Sequence, residues 1–131
     1  MRIIFVWTLI FLFAAVVYVY LPAFLADRAI VNLVSVNAEK ARSAKSWLIT
    51  HSQYRTLKKL MDAASDSAKP ETMRLHAIDV LGQYPYDEAY TFLAHLSMSD
   101  HETSSIKEAA HIAKIRQERR IKSKNMTIDK K

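Results

Sequence analysis

Residues 3–26 carry no charge, and only Thr8 and Pro22 interrupt a run of apolar and aromatic side chains. Few environments can hold such a run. In lipid the backbone has no water to bond, so a single segment of this kind must be a helix that satisfies its own peptide groups. Residues 3–25 as a helix extend roughly 35 Å at about 1.5 Å per residue. A hydrocarbon core is about 30 Å thick, so the segment is expected to span it with some tilt. Trp7 lies near one end, and Tyr18, Tyr20 and Phe24 near the other; such rings favour the headgroup level. Ile3, Phe5, Trp7, Leu12, Tyr18, Tyr20 and Leu25 are therefore expected to form the membrane anchor, with membrane lipid as their partner. Pro22 is expected to end or kink the span.

A cleaved secretory signal is the rival reading. The run is long for a signal core of about 7–15 residues. A cut after Ala26 places Phe24, and a cut after Ala29 places Asp27, where a small residue is needed. The retained anchor is the favoured reading, placing the chain as a single-pass protein of a bacterial inner (plasma) membrane. Arg2 precedes the span, whereas Arg28, Lys40, Arg42 and Lys45 follow it. Positive-inside counting leans to a cytoplasmic domain, but two residues ahead of the span are a thin basis, and the side stays open.

Behind the anchor the chain reads as all-α. It has one glycine, Gly82, and three prolines among 131 residues. Hairpin-rich sheets need many glycine-dependent turns, so they are disfavoured. The absence of cysteine removes disulfides, thiolate metal sites and a cysteine nucleophile. About a hundred residues suffice for one small domain.

Residues 27–52 are expected to form a connecting helix that prolongs the anchor. Ile30, Val34, Asn37, Ala41, Ala44 and Leu48 follow a 4-3-4-3-4 spacing, a short heptad seam. The seam is expected to pack on the following domain, or, through Ile30, Val34 and Ala41, on a partner or a second copy of the chain.

Residues 53–117 alternate short apolar-faced helices with polar loops. The first face is Tyr54, Leu57, Leu60, Met61 and Ala64; the second, opened by Pro70 and Glu71, is Met73, Ala77, Val80, Leu81 and Tyr84. Pro85 blocks its continuation. A third helix after Asp87 carries Ala89, Phe92, Leu93 and Leu96, and a fourth carries Ile106, Ala109, Ala110, Ala113 and Ile115. Two helix pairs suggest a repeat. Aspartates 66 and 100 are 34 apart, and Met73-Arg74 and Ile106-Lys107 are 33 apart, as are Ala77 and Ala110. The stretch Met73-Arg74-Leu75-His76-Ala77-Ile78-Asp79-Val80-Leu81-Gly82 resembles the second helix of a HEAT repeat, in the short bacterial form. Ile106-Lys107-Glu108-Ala109-Ala110-His111-Ile112-Ala113 fits the pattern less closely, with Lys114 where a leucine belongs. The resemblance covers about residues 54–117. It implies a small antiparallel helix-pair stack, a fragment of an α-solenoid, whose usual work is protein binding. Some relatives act on bilin chromophores, but no motif here carries that activity.

Catalytic motifs are missing. No two of the five histidines sit four apart, so the helical zinc-protease arrangement is ruled out. One glycine permits neither a nucleophile elbow nor a phosphate loop. His95, His101, Asp100 and Glu102 gather around one loop, where solvated side chains are a commoner outcome than a metal site. The expectation is a non-enzyme without cofactor. Tyr84, Tyr86, Tyr90 and Phe92 cluster at the turn between the pairs; filling a corner of the helix stack is the favoured reading, with Tyr84, Tyr86 and Tyr90 as candidate partner-binding residues.

The net charge of +6 is confined to the C-terminus. Residues 114–131 hold eight Lys/Arg and two acidic residues, against eleven of each sign before them. Arg116, Arg119, Arg120, Lys122 and Lys124 are candidates for an anionic surface. With a membrane tether, lipid is favoured over nucleic acid. The organisation expected is an anchor over 1–26, a connecting helix over 27–52, a HEAT-like domain over 53–117 and a basic tail over 118–131. The leading function is an adaptor or accessory subunit that binds protein partners in a membrane complex.

Overall fold

The computed structural model describes residues 2–35 and 37–128. Among them lie six helices and no strand: α1 (Arg2–Asn32), α2 (Ala38–Thr50), α3 (Tyr54–Ser65), α4 (Glu71–Leu81), α5 (Asp87–Met98) and α6 (Ser104–Ile128). The all-α expectation therefore holds. α1 has 31 residues, roughly 46 Å of helix at about 1.5 Å per residue. Pro22 lies inside it and does not end it. One helix, over Val6–Asn32, is long and apolar enough to cross a membrane.

The single connecting helix over 27–52 is not found. Helix α1 runs on to Asn32, turn residues follow at 33 and 34, and α2 begins afresh at Ala38. Asn37 causes the restart. Its side chain accepts from the N–H groups of Glu39 and Lys40 at 3.0 and 3.3 Å. Asparagine competes for backbone donors in this way, which favours a cap over a mid-helix seam. The seam is thus broken: Ile30 stays on α1, Val34 and Asn37 fall between the helices, and Ala41, Ala44 and Leu48 lie on α2, which folds back on α1. Ile30, Ala44 and Leu48 still meet in one core, so the apolar spacing was correct while the straight helix was not.

α3 with α4 and α5 with α6 form two helical hairpins, and α4 packs on α6 to join them. The core runs through both hairpins and takes in the end of α1: Leu33, Leu48, Leu60, Ile78, Leu81, Leu93 and Ile106 are all fully enclosed. Gly82 lies at the α4–α6 crossing. Its backbone is ordinarily helical, at φ −61° and ψ −12°. A Cβ there would stand 2.8 Å from the Ala113 Cβ and 3.1 Å from its Cα. The glycine is needed for close approach and not for a special dihedral angle.

Polar contacts give each helix a direction. At the end that we call distal, Arg74 Nε donates to the Ala64 carbonyl at 2.8 Å, and its guanidinium meets Glu102 at 2.5 Å. This joins the end of α3, the start of α4 and the α5–α6 loop. At the opposite, proximal end, the Tyr84 hydroxyl donates to the Leu48 carbonyl at 3.0 Å and Tyr86 to the Ser52 carbonyl at 2.9 Å. Asp27 of α1 pairs with Lys59, and Val31 lies beside Asp66, Lys69 and Met73 near the distal end. From Asp27 to Val31, helix α1 therefore advances toward the distal end, as α3 does, while it packs on α2. Its residues 6–25 leave the bundle at the proximal end.

Candidate functional site

The proximal end gathers most of the aromatic side chains outside α1. Helix α2 delivers Trp47, which stacks on His51 with ring centroids 4.5 Å apart. Helix α3 begins there with Tyr54, 61% exposed, whose ring meets Tyr86 edge-on at 5.6 Å. Tyr84 is fully buried beneath them. Burial pushes its hydroxyl up to about 12, and the neighbouring Tyr86 adds to this, while a hydrogen bond with Thr56 works the other way.

Helix α6 passes this end and continues. Gln117 is buried, and its amide donates to the Leu81 and Tyr84 carbonyls at 2.7 and 3.0 Å. It closes the C-terminus of α4, whose last carbonyls have no partner within the helix. Arg120 donates to the Gln83 carbonyl beside it. Arg116 holds Asp79 at 2.5 Å, and Lys45 of α2 holds the same carboxylate from the other side. Burial is the largest single influence on Asp79 and would raise its pKa; the two cations together outweigh it and keep the carboxyl below its usual value. Tyr90 donates to Glu118 at 2.9 Å, and that bond raises the tyrosine's pKa.

The cations divide accordingly. Arg116 and Arg120 are spent on the bundle, whereas Arg119, Lys122 and Lys124 are exposed with no carboxylate within 4 Å among the described residues. They stand on helix, because α6 runs unbroken to Ile128; residues 129–131 lie outside the described part. Between this segment and the proximal turn is a groove of about 610 Å³, lined by Tyr86, Asp87, Arg120, Ile121 and Lys124.

The other expected sites fare unevenly. Trp7, Leu12, Tyr18, Tyr20 and Leu25 are exposed along α1. Ile3 and Phe5 belong to the same helix, but their side chains lie outside the described part. Of the candidate partner-binding residues, Tyr84, Ile30 and Ala41 are buried within the chain and offer no free surface, which corrects that expectation. Val34 is half-buried against the core. Tyr86 and Tyr90 are half-buried and bonded to Ser52 and Glu118. Among the described residues no group of three or more His, Asp or Glu gathers to hold a metal. Glu102 of the suspected loop is instead committed to Arg74.

Arg74, Gln117 and Asp79 were not singled out from sequence. Arg74 carried a weak signal, as a basic residue within an apolar helical face. Gln117 carried none, since its partners are carbonyls of another hairpin. Compared with known families, curated proteins and solved structures, the chain matches none.

Proposed function

We propose that this protein is a single-pass membrane-anchored adaptor or accessory subunit, with a small HEAT-like bundle presented for protein binding at a bacterial inner membrane. The carrying observation is the contrast within α1. Residues 26, 29, 30 and 33 are buried in the bundle or its edge, while residues 6–21 are exposed and apolar apart from Thr8. An apolar surface of that extent is not left to water; lipid is the cover that its length fits.

The helical-repeat reading is supported by two successive helical hairpins and by burial at corresponding positions. Ala77 and Ala110, 33 residues apart, are both fully buried, and Met73 and Ile106, also 33 apart, are both buried. A stack of two pairs is short for such a repeat; here α1 and α2 cover one end of it.

Two measurements test the reading. Alkaline carbonate washing of membranes should leave the chain in the pellet; release into the supernatant refutes the anchor. Native electrophoresis of mild-detergent extracts at natural abundance should show a particle larger than the monomer. Migration as a bare monomer refutes the adaptor role and leaves the anchor standing.

A further inference from the structure

The apolar span and the charged segment of α6 leave the bundle at the same end. Helix α1 advances toward the distal end, as α3 does: its Asp27 pairs with Lys59, and Val31, one turn on, shares a groove with Asp66 and Lys69. Its residues 6–25 thus leave the bundle at the proximal end, where Leu25 shares a pocket with Trp47. Helix α6 reaches that end at Gln117, on the carbonyls of Leu81 and Tyr84. It continues to Ile128, roughly 16 Å further at about 1.5 Å per residue.

We propose that the α6 segment carrying Arg119, Lys122 and Lys124 docks on anionic phospholipid headgroups of the leaflet from which α1 emerges, and so holds the proximal end of the bundle against the bilayer. This rests on the anchor reading. With α1 across a bilayer, the end from which it emerges is the end that meets headgroups. Three exposed cations without a carboxylate partner are presented there on a rigid helix. Trp47 and the exposed Tyr54 are at the same end, and such rings favour the headgroup level. The tether removes most of the entropy cost of the second contact, because the segment never leaves the surface. A nucleic acid would also attract the cations. It gives no account of why the aromatic rings and the span converge on the same end.

The test uses the whole chain. It lacks cysteine, so Asn125→Cys supplies one thiol for a fluorophore. The labelled protein is placed in nanodiscs of phosphatidylcholine, alone or mixed with phosphatidylglycerol, with a quencher on some headgroups. Quenching is expected in the anionic discs, weaker in the neutral ones, and reversed by high salt. Each cation near an anionic surface is worth roughly fivefold in partitioning. The triple variant Arg119→Gln/Lys122→Gln/Lys124→Gln should therefore weaken docking on the order of a hundredfold. The salt titration reads the same contact in the unaltered segment should that variant misfold. Equal quenching in both lipids, or none in discs that carry the protein, overturns the proposal and leaves the anchor intact. So does a short RNA bound with the same dependence on the three cations while the label stays unquenched. Failure of the protein to migrate with discs overturns the anchor, and this inference with it.

Discussion

Replacing Gly82 with alanine probes the contact that joins the two hairpins. The new Cβ would meet the Ala113 Cβ at 2.8 Å, its Cα at 3.1 Å and its carbonyl oxygen at 3.3 Å. Two of these atoms are backbone and cannot rotate aside, so α4 and α6 must separate by a few tenths of an ångström. Overpacking of this kind costs about 1–3 kcal/mol. Alanine recovers up to about 1 kcal/mol, because glycine is a poor helix former. The net expectation is a loss of about 1–2 kcal/mol, which lowers the Tm of a domain of this size by roughly 5–15 °C. Thermal melts followed by helical circular dichroism in mild detergent measure it. Ala113→Gly in the Gly82→Ala background removes the closest atom and should restore part of the lost Tm, since touching residues couple. A Tm equal to or above that of the unaltered protein refutes the close-approach reasoning, because only the propensity gain would then remain.

Two further predictions concern the proximal end. Gln117→Leu keeps the volume but leaves the buried Tyr84 carbonyl without its amide donor, so denaturant unfolding should show a loss of about 1–3 kcal/mol; an unchanged midpoint refutes the capping role. Tyr84 is held protonated up to about 12 in the fold, whereas an unfolded tyrosine ionises near 10. Its contribution is complete below pH ~10 and is lost as pH rises through about 12. Tyr84→Phe should therefore flatten the fall in stability over that window, and an identical alkaline profile in the variant refutes this role for Tyr84.

The charge-free run before Asp27 and the scarcity of glycine determined a great deal alone. They called for a spanning-length helix followed by an all-helical domain, because backbone satisfaction in lipid and turn chemistry in water are local demands. The spacing of Leu57, Leu60 and Ala64, or of Ala89, Leu93 and Leu96, located faces that the structure buries. Local reasoning failed at Asn37, where a capping side chain outweighed a heptad pattern; at Tyr84 the apolar-face reading prevailed over the partner-binding one, and the ring is buried with its hydroxyl on the Leu48 carbonyl. Gly82 was legible only as a terminator; that it marks a backbone crossing depends on Ala113, 31 residues away. The basic residues at the C-terminus read as a tail in which Arg116, Arg119 and Arg120 share one helical face. Tertiary packing alone decided which of them are consumed by Asp79 and Gln83, and that the rest leave at the end from which α1 emerges. A sequence records charge and apolarity one residue at a time, whereas direction and proximity are settled when separate helices bury a common core.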